Sequence, residues 1–341
     1  MSITIKEVAK LAGVSPSTVS RTCSNHPAIS EKTKEKVRKA MAELGYEPNF
    51  QASNLVSKNS KTIGVILPVA ENKLYQNSFF LEVIHGICQA CIKENYMNTI
   101  ISGNSEDELL NSVRSVIKSG KVDGFILLYS KNNDPILEHL NDTKQIYALI
   151  GKPSKEINST IYIDNDNITA GKDATDYLIK LGHKKICFLY TKGNRIFVQD
   201  RKAGYISSLL DNNIEFKKEY CLEKNLTVDK DILDLQKLFS SDNSPSAIIA
   251  LDDIIALSLE KILSVINKDV PNDISIITFN NSLLTTLTNP QLTCVDINNY
   301  QLGWEGAIQI IKHIQNPNLI PTKIIVPHRI IERSSCKKIL F

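Results

Sequence analysis

The sequence predicts a small all-α helix-turn-helix head followed by an α/β region of two doubly wound parallel-sheet subdomains. Three observations predict it. The first 45 residues carry three short amphipathic helical patterns; from Thr62 onward β-branched runs alternate with helical stretches; and that alternation runs through two consecutive series of similar size.

The elements follow in order. Thr4 caps a first helix whose apolar residues Ile5, Val8, Ala9 and Leu11 share a face, and Gly13 permits the left-handed turn that ends it. Ser15 and Pro16 open a second helix, because serine accepts orphan amide hydrogens and proline already has the first-turn backbone angle. In it Val14, Val19 and Cys23 are expected inward, leaving Pro16, Ser17, Ser20 and Arg21 outward. Ser30 caps a third helix, Glu31 to Leu44, which Gly45 ends, with Val37, Ala40, Met41 and Leu44 inward. Residues 49–60 are short, polar and lightly charged, too short for a stable helix alone. They read as a hinge helix or linker between a head of residues 1–48 and a body of residues 61–341.

In the body, strands are expected at Thr62–Leu67, Asn98–Ser102, Gly124–Leu128, Ile146–Ile150 and Thr160–Ile163, with helices at Phe79–Asn95 and Glu106–Ser119 between them. A second series comprises helix Asn167–Leu181, strand Lys185–Tyr190, helix Phe197–Asn212, strand Ser246–Ala250, helix Asp253–Val265 and strand Ile274–Thr278. The near-continuous apolar strands argue for sheets covered on both faces. Subdomains of about 61–163 with 297–325, and 164–296 with 326–341, are expected. Open α/β sheets bind solutes beyond the carboxyl ends of their strands, so a small-molecule cleft between the two units is expected there.

Charge separates the head from the body. The chain holds 40 Lys and Arg against 37 Asp and Glu, yet residues 1–60 hold nine against five, and the remainder is near neutral at −1. Basicity confined to helices with a small-residue, polar outer face is the footprint of duplex DNA binding, where cations displace condensed counterions. Arg21 has the fork geometry for a guanine edge or a phosphate, and small hydroxyl residues let a helix approach base edges closely.

Other chemistries find no support. The sequence shows no nucleophile elbow, phosphate loop or dinucleotide glycine motif, and the neighbouring carboxylates Asp252 and Asp253 point in different directions, so catalysis is not expected. The six histidines lack zinc spacing, and Cys88 with Cys91 has no matching second pair, so no metal or cofactor is expected. His183 after Gly182 reads as part of a helix end. Seven cysteines in a chain of this size point to reduced thiols; with no signal peptide and no membrane-length apolar run, a cytoplasmic location is expected.

Residues 3–67, "ITIKEVAKLAGVSPSTVSRTCSNHPAISEKTKEKVRKAMAELGYEPNFQASNLVSKNSKTIGVIL", resemble the DNA-binding head and linker of the lactose-repressor (LacI/GalR) family. The resemblance implies a periplasmic-binding-protein-like ligand domain and a homodimer on a pseudo-palindromic operator. It places Pro16, Ser17 and Arg21 at base-reading positions, Thr18 and Ser20 nearer the phosphates, and Leu55 between base pairs in the minor groove. The candidate DNA contacts are Thr4, Ser15, Pro16, Ser17, Thr18, Ser20, Arg21, Asn49, Ala52 and Leu55. This chain departs from the family with Thr22, Cys23 and Ser24 after the Ser-Arg pair, and with Ser53 in the hinge.

"YIDNDNITAGKDATDYLIKLGHKKICFL", "RKAGY" and "AIIALDD" are similar to the second half of the family's ligand domain, and imply sugar contacts from Arg201, Asp252 and Asn280. Asp164 at a strand end joins them. "LYQNSFF" and "LLYSKNNDP" look most like repressors of maltose and glucoside operons, implying Tyr75, Phe79 and Tyr129 as rings for a pyranose. The chain lacks the family's usual proline at Ser78 and glycine at Asn95. A repressor of a sugar operon is therefore expected, with a phosphocarrier protein as a candidate co-effector. A non-sugar ligand, or a sugar-binding protein without a regulatory role, are the alternatives left open.

Overall fold

The computed structural model describes residues 3–23, 25–46, 59–69, 77–191, 195–226 and 228–339. The chain divides into two compact units, Met1–Ser60 and Lys61–Phe341.

In the first unit α1 is Ile5–Ala12, α2 Pro16–Cys23 and α3 Glu31–Leu44. The Glu7 carboxylate accepts from both the amide and the hydroxyl of Thr4, closing the start of α1. Ser30 Oγ accepts from the Thr33 amide at the start of α3, and Gly13 and Gly45 end α1 and α3 at positive φ. Val8, Ala9, Ala12, Val19, Val37 and Ala40 form the core. Two expected core positions differ. Leu11 is exposed and Ala12 takes its place, since residues 5, 8, 9 and 12 fall on one face at 3.6 residues per turn. Cys23 is exposed and Thr22 is buried, its hydroxyl donating to the Thr18 carbonyl at 2.9 Å, which satisfies the hydroxyl inside the turn.

The second unit holds two six-stranded sheets. The first contains β1 Thr62–Ile66, β2 Met97–Ile101, β3 Gly124–Leu127, β4 Tyr147–Ile150 and β5 Ile161–Asn165. The helices α4 Ser78–Lys93, α5 Glu106–Ser119 and α6 Pro135–Asp142 connect them. The second contains β6 Ile186–Tyr190, β7 Cys221–Glu223, β8 Ala247–Ala250, β9 Ser275–Phe279 and β10 Thr293–Asp296, with α7 Asn167–Lys180 leading in from β5. Here α8 Ile196–Asp211, α9 Asp229–Phe239, α10 Asp253–Val265 and the short α11 Leu284–Leu287 intervene. The chain then returns to the first half as α12 Asn299–Gln315 and β11 Lys323–Val326, and ends in the second with β12 Arg329–Ile331.

Strand order is β2-β1-β3-β4-β5-β11 in one sheet and β7-β6-β8-β9-β10-β12 in the other. Every pairing is parallel except β10 with β12. Each sheet thus reverses direction beside its first strand, between β1 and β3 and between β6 and β8, where crevices open at the strand ends. The central strands β3, β6, β8, β9 and β10 are buried at every position, as helices on both faces require.

Three segments connect the halves, after β5, after β10 and between β11 and β12. One side chain joins them: Asn165 Nδ2 donates to the carbonyls of Ile297 and Val326, each at 2.9 Å. Asn298 in the second segment in turn donates to the Pro327 carbonyl in the third.

Helices α7 and α8 touch backbone to backbone. A Cβ on Gly171 would lie 2.2 Å from the Arg201 carbonyl oxygen, and one on Gly204 would lie 2.0 Å from the Ile168 carbonyl oxygen. Neither neighbour is a flexible side-chain end, so a methyl group there must part the helices. Gly171→Ala is expected to destabilise the protein by about 1–3 kcal/mol through overpacking, seen as a lower urea midpoint with unchanged slope; an unaltered midpoint would contradict the close approach.

Candidate functional site

On the head, α2 presents its polar face to solvent. Thr4, Ser15, Pro16, Ser17, Ser20 and Arg21 are exposed and Thr18 is half-buried. The Ser15 hydroxyl oxygen lies 2.8 Å from that of Ser17 and 2.9 Å from that of Thr18, and also accepts from the Thr18 amide at 3.2 Å. This hydroxyl cluster caps α2 and fixes the positions of its first-turn side chains. Lys32, Lys36, Arg38 and Lys39 on α3 are exposed, whereas Lys34 is buried and paired with Glu31 at 2.7 Å. The expected contacts Asn49, Ala52 and Leu55 lie outside the described residues.

In the second unit a cavity lies between the carboxyl ends of the two sheets. Its atom-free space is about 1000 Å³ including the open mouth. Of the seven residues expected from sequence, six line it: Phe79, Tyr129, Asp164, Arg201, Asp252 and Asn280. Tyr75 lies outside the described residues.

The central group is Arg201, projected from α8 and 3% exposed. Its Nε donates to Asn167 Oδ1 at 3.0 Å and its Nη1 to the Leu251 carbonyl at 3.1 Å. Its guanidinium carbon lies 3.9 Å from the centroid of the Phe279 ring and 5.0 Å from that of Phe197. Burial lowers its pKa to about 10, opposed by the charges of Asp164 and Asp252, so it stays cationic at neutral pH. Of five N–H donors, these two bonds commit two.

Asp164, at the end of β5, accepts from the Lys152 amide at 3.0 Å, the Asn165 amide at 2.8 Å and Asn167 Nδ2 at 3.0 Å. Asn167 therefore bridges Asp164 to Arg201. Asp252 follows β8 and caps α10, its Oδ1 accepting from the Ile255 amide at 2.9 Å while the residue also lines the cavity. Burial raises its pKa. Asn280 follows β9 at φ +90°, a left-handed geometry that asparagine adopts more readily than most residues. Its backbone N–H donates to the Val295 carbonyl, and its carbonyl accepts from the Asn299 side-chain Nδ2.

Two rings also line the cavity. Phe79 packs against the cores of both halves. Tyr129 is half-buried, its pKa raised by burial and then by the nearby Asp134 carboxylate.

Sequence reasoning missed Asn167 and Phe197. Phe197 lies four residues before Arg201 and so shares its helix face, a signal that was present. Asn167 carries no such signal, because its role depends on α7 and α8 meeting at Gly171 and Gly204.

His183 closes the end of α7, as expected: its amide donates to the Leu178 carbonyl, and its ring nitrogens lie 2.9 Å from Ser246 Oγ and 3.1 Å from the Lys337 carbonyl. Among the described residues no cluster of His, Cys, Asp or Glu has the arrangement to hold a metal, and no helix is long and apolar enough to cross a membrane.

Burial lifts Asp164 from the ordinary 3.8 to about 6. Between those values the folded chain holds a proton that the unfolded chain has released, so this group's contribution to stability falls as pH rises. The stability difference between wild type and Asp164→Asn is expected to shift against wild type by about 2–3 kcal/mol from pH 4 to pH 7. Urea unfolding of both proteins across that range checks it; a pH-independent difference would refute the burial argument.

Comparison with known proteins fits both surfaces. A model of the lacI family of bacterial regulatory proteins matches residues 4–49, and one of a periplasmic binding protein-like domain matches residues 175–336. The HTH-type transcriptional regulator MalR of Streptococcus pneumoniae is 36% identical over 346 residues, covering 98% of this chain and 100% of that protein. MalR of Staphylococcus xylosus is 36% identical over 333 residues, covering 98% of each chain. Among solved structures, a complex of the transcriptional regulator CelR with cellobiose aligns with a TM-score of 0.75 at 25% identity, over 98% of this chain and 99% of that one. Proteins so named are transcriptional regulators rather than enzymes, and the chain belongs to the LacI family of bacterial regulatory proteins.

Proposed function

We propose that the chain is a cytoplasmic, dimeric repressor of a sugar-utilisation operon, whose grip on operator DNA is set by a maltose- or glucoside-type sugar bound in the cleft. The observation that carries the reading is the set of groups lining one cavity: a buried cation, two carboxylates, an amide and aromatic rings. A pyranose has hydroxyl groups that accept from Arg201, donate to Asp164 and Asp252, and do both with Asn280, and an apolar face that rests on Phe79 and Tyr129. Tyr75 is assigned to the same group of rings. The full-length likeness to MalR and the cellobiose bound to CelR support a sugar of this class.

On the DNA side, Pro16, Ser17 and Arg21 read base edges while Thr4, Ser15, Thr18 and Ser20 hold phosphates, with Asn49, Ala52 and Leu55 engaging the minor groove. Dimerisation supplies the second head. It uses the exposed face of α4, Leu81 and Ile92, beside the edge strand β2, whose Met97 and Ile100 are exposed. The Cys88–Asn98 contact joins the helix face to the strand. The ligand acts by its differential affinity for two arrangements of the body.

Operator binding followed by fluorescence anisotropy, while a panel of mono- and disaccharides is titrated, tests the reading. One sugar of the maltose or glucoside class is expected to change operator affinity, and no response to any sugar would overturn this assignment. A response to an added phosphocarrier protein alone would instead favour a protein co-effector. Arg21→Ala is expected to weaken specific operator binding by about 1–3 kcal/mol while leaving sugar binding intact. Arg201→Ala is expected to do the reverse; equal losses of DNA binding from both would refute the division.

A further inference from the structure

The rim of the cleft carries two bridges from one half of the body to the other. Ser78 opens α4 in the first half and Asp253 opens α10 in the second, and Ser78 Oγ donates to Asp253 Oδ2 at 2.9 Å. Asp253 is fully buried, and its other oxygen accepts from the Ile254 amide at 3.0 Å. Elsewhere on the rim, Lys131 after β3 and Arg195 before α8 form an antiparallel backbone bridge.

The two ends of the hydrogen bond differ in what else they do. The start of α4 does not need the Ser78 side chain, because Asn77 is the capping residue and its Oδ1 accepts from the Phe79 amide at 3.0 Å. Ser78 stands at the first helical position, where its own amide needs no helical partner. The Asp253 carboxylate, by contrast, has no exposure, so it must find its donors within the protein. When the halves part, Asp253 loses the Ser78 hydroxyl, and water entering the gap replaces it only in the open arrangement.

We propose that the Ser78–Asp253 hydrogen bond is a latch that sets how much of the unliganded protein stands closed, and so how much effector is needed to complete closure. The latch rests on the reading of the cavity as a cleft that closes on a ligand. Ser78 acts as a positioning residue through the equilibrium between the two arrangements, and it makes no contact with the ligand in this role. A bond between two halves adds to closure whatever occupies the cavity, so removing it weakens all cleft ligands by one common factor.

Hydrogen exchange of the full chain without sugar tests the proposal, read on peptides spanning residues 77–84 and 251–258. Ser78→Ala removes the hydroxyl; Ser78→Pro also removes it and suits a first helical position, which guards against a disrupted helix start. Ser78→Thr keeps the hydroxyl. Exchange on both peptides is expected to rise about three- to tenfold in the Ala and Pro variants and to stay at the wild-type rate in Thr. Equal exchange in wild type, Ala and Pro would overturn the latch. Calorimetric titration with maltose is expected to show affinity reduced by the same factor in Ala and Pro only; a reduction also in Thr would overturn it. Should maltose fail to bind the wild type, the sugar assignment fails while the exchange comparison still decides the latch.

Discussion

The body of this protein hangs on one amide. Asn165 ends β5 and gives both of its side-chain hydrogens to carbonyls of the other two connecting segments, at Ile297 and Val326. Three strands of chain are therefore held as one bundle at the place where any rotation of the halves must occur. Asp164, one residue earlier, faces the cavity with Asn167 and Arg201. The pivot and the charged floor of the cleft are thus adjacent in sequence, and a ligand that changes the arrangement around Asp164 acts next to the point about which the halves turn.

A second constraint fixes the cation. Arg201 cannot move without α8, and α8 is seated on α7 with no side chain between the backbones at Gly171 and Gly204. Its guanidinium lies against the Phe279 and Phe197 rings and donates to the Leu251 carbonyl and the Asn167 side-chain oxygen. A buried charge held this firmly presents its remaining donors in one direction, which is the property a recognition site for hydroxyl groups requires.

How much of this was legible before the structure depends on whether the signal was local. The helix starts at Ser15 and Ser30, the ends at Gly13 and Gly45, and the central strands follow from capping chemistry and unbroken apolar runs. The three- and four-residue strands β7, β10, β11 and β12 and the helices α6, α9, α11 and α12 went unassigned; the strands are too short to show a period, and their places are fixed by the neighbours they pair with. Leu11 and Cys23 were misplaced by one position each, a shift that periodicity over eight residues barely resolves. At the site, residues following strand ends were found readily: Tyr129, Asp164, Asp252 and Asn280 all sit there. Asn167 and the Ser78–Asp253 contact were not, since each exists only through tertiary approach of segments 34 and 175 residues apart.

The return of α12 and β11 to the first sheet also orders events during synthesis. The head is complete within sixty residues and can fold while the ribosome is still working. The first sheet must wait, because Leu302, Ala307, Ile310 and Ile311 of α12 and Val326 of β11 fill its core. Until α12 and β11 are made, Ile63, Val65, Ile126 and Ile163 have an open apolar flank. A nascent chain of this protein therefore owns a DNA-reading module long before its first sheet can close, and its greatest hazard of misassociation falls in that interval.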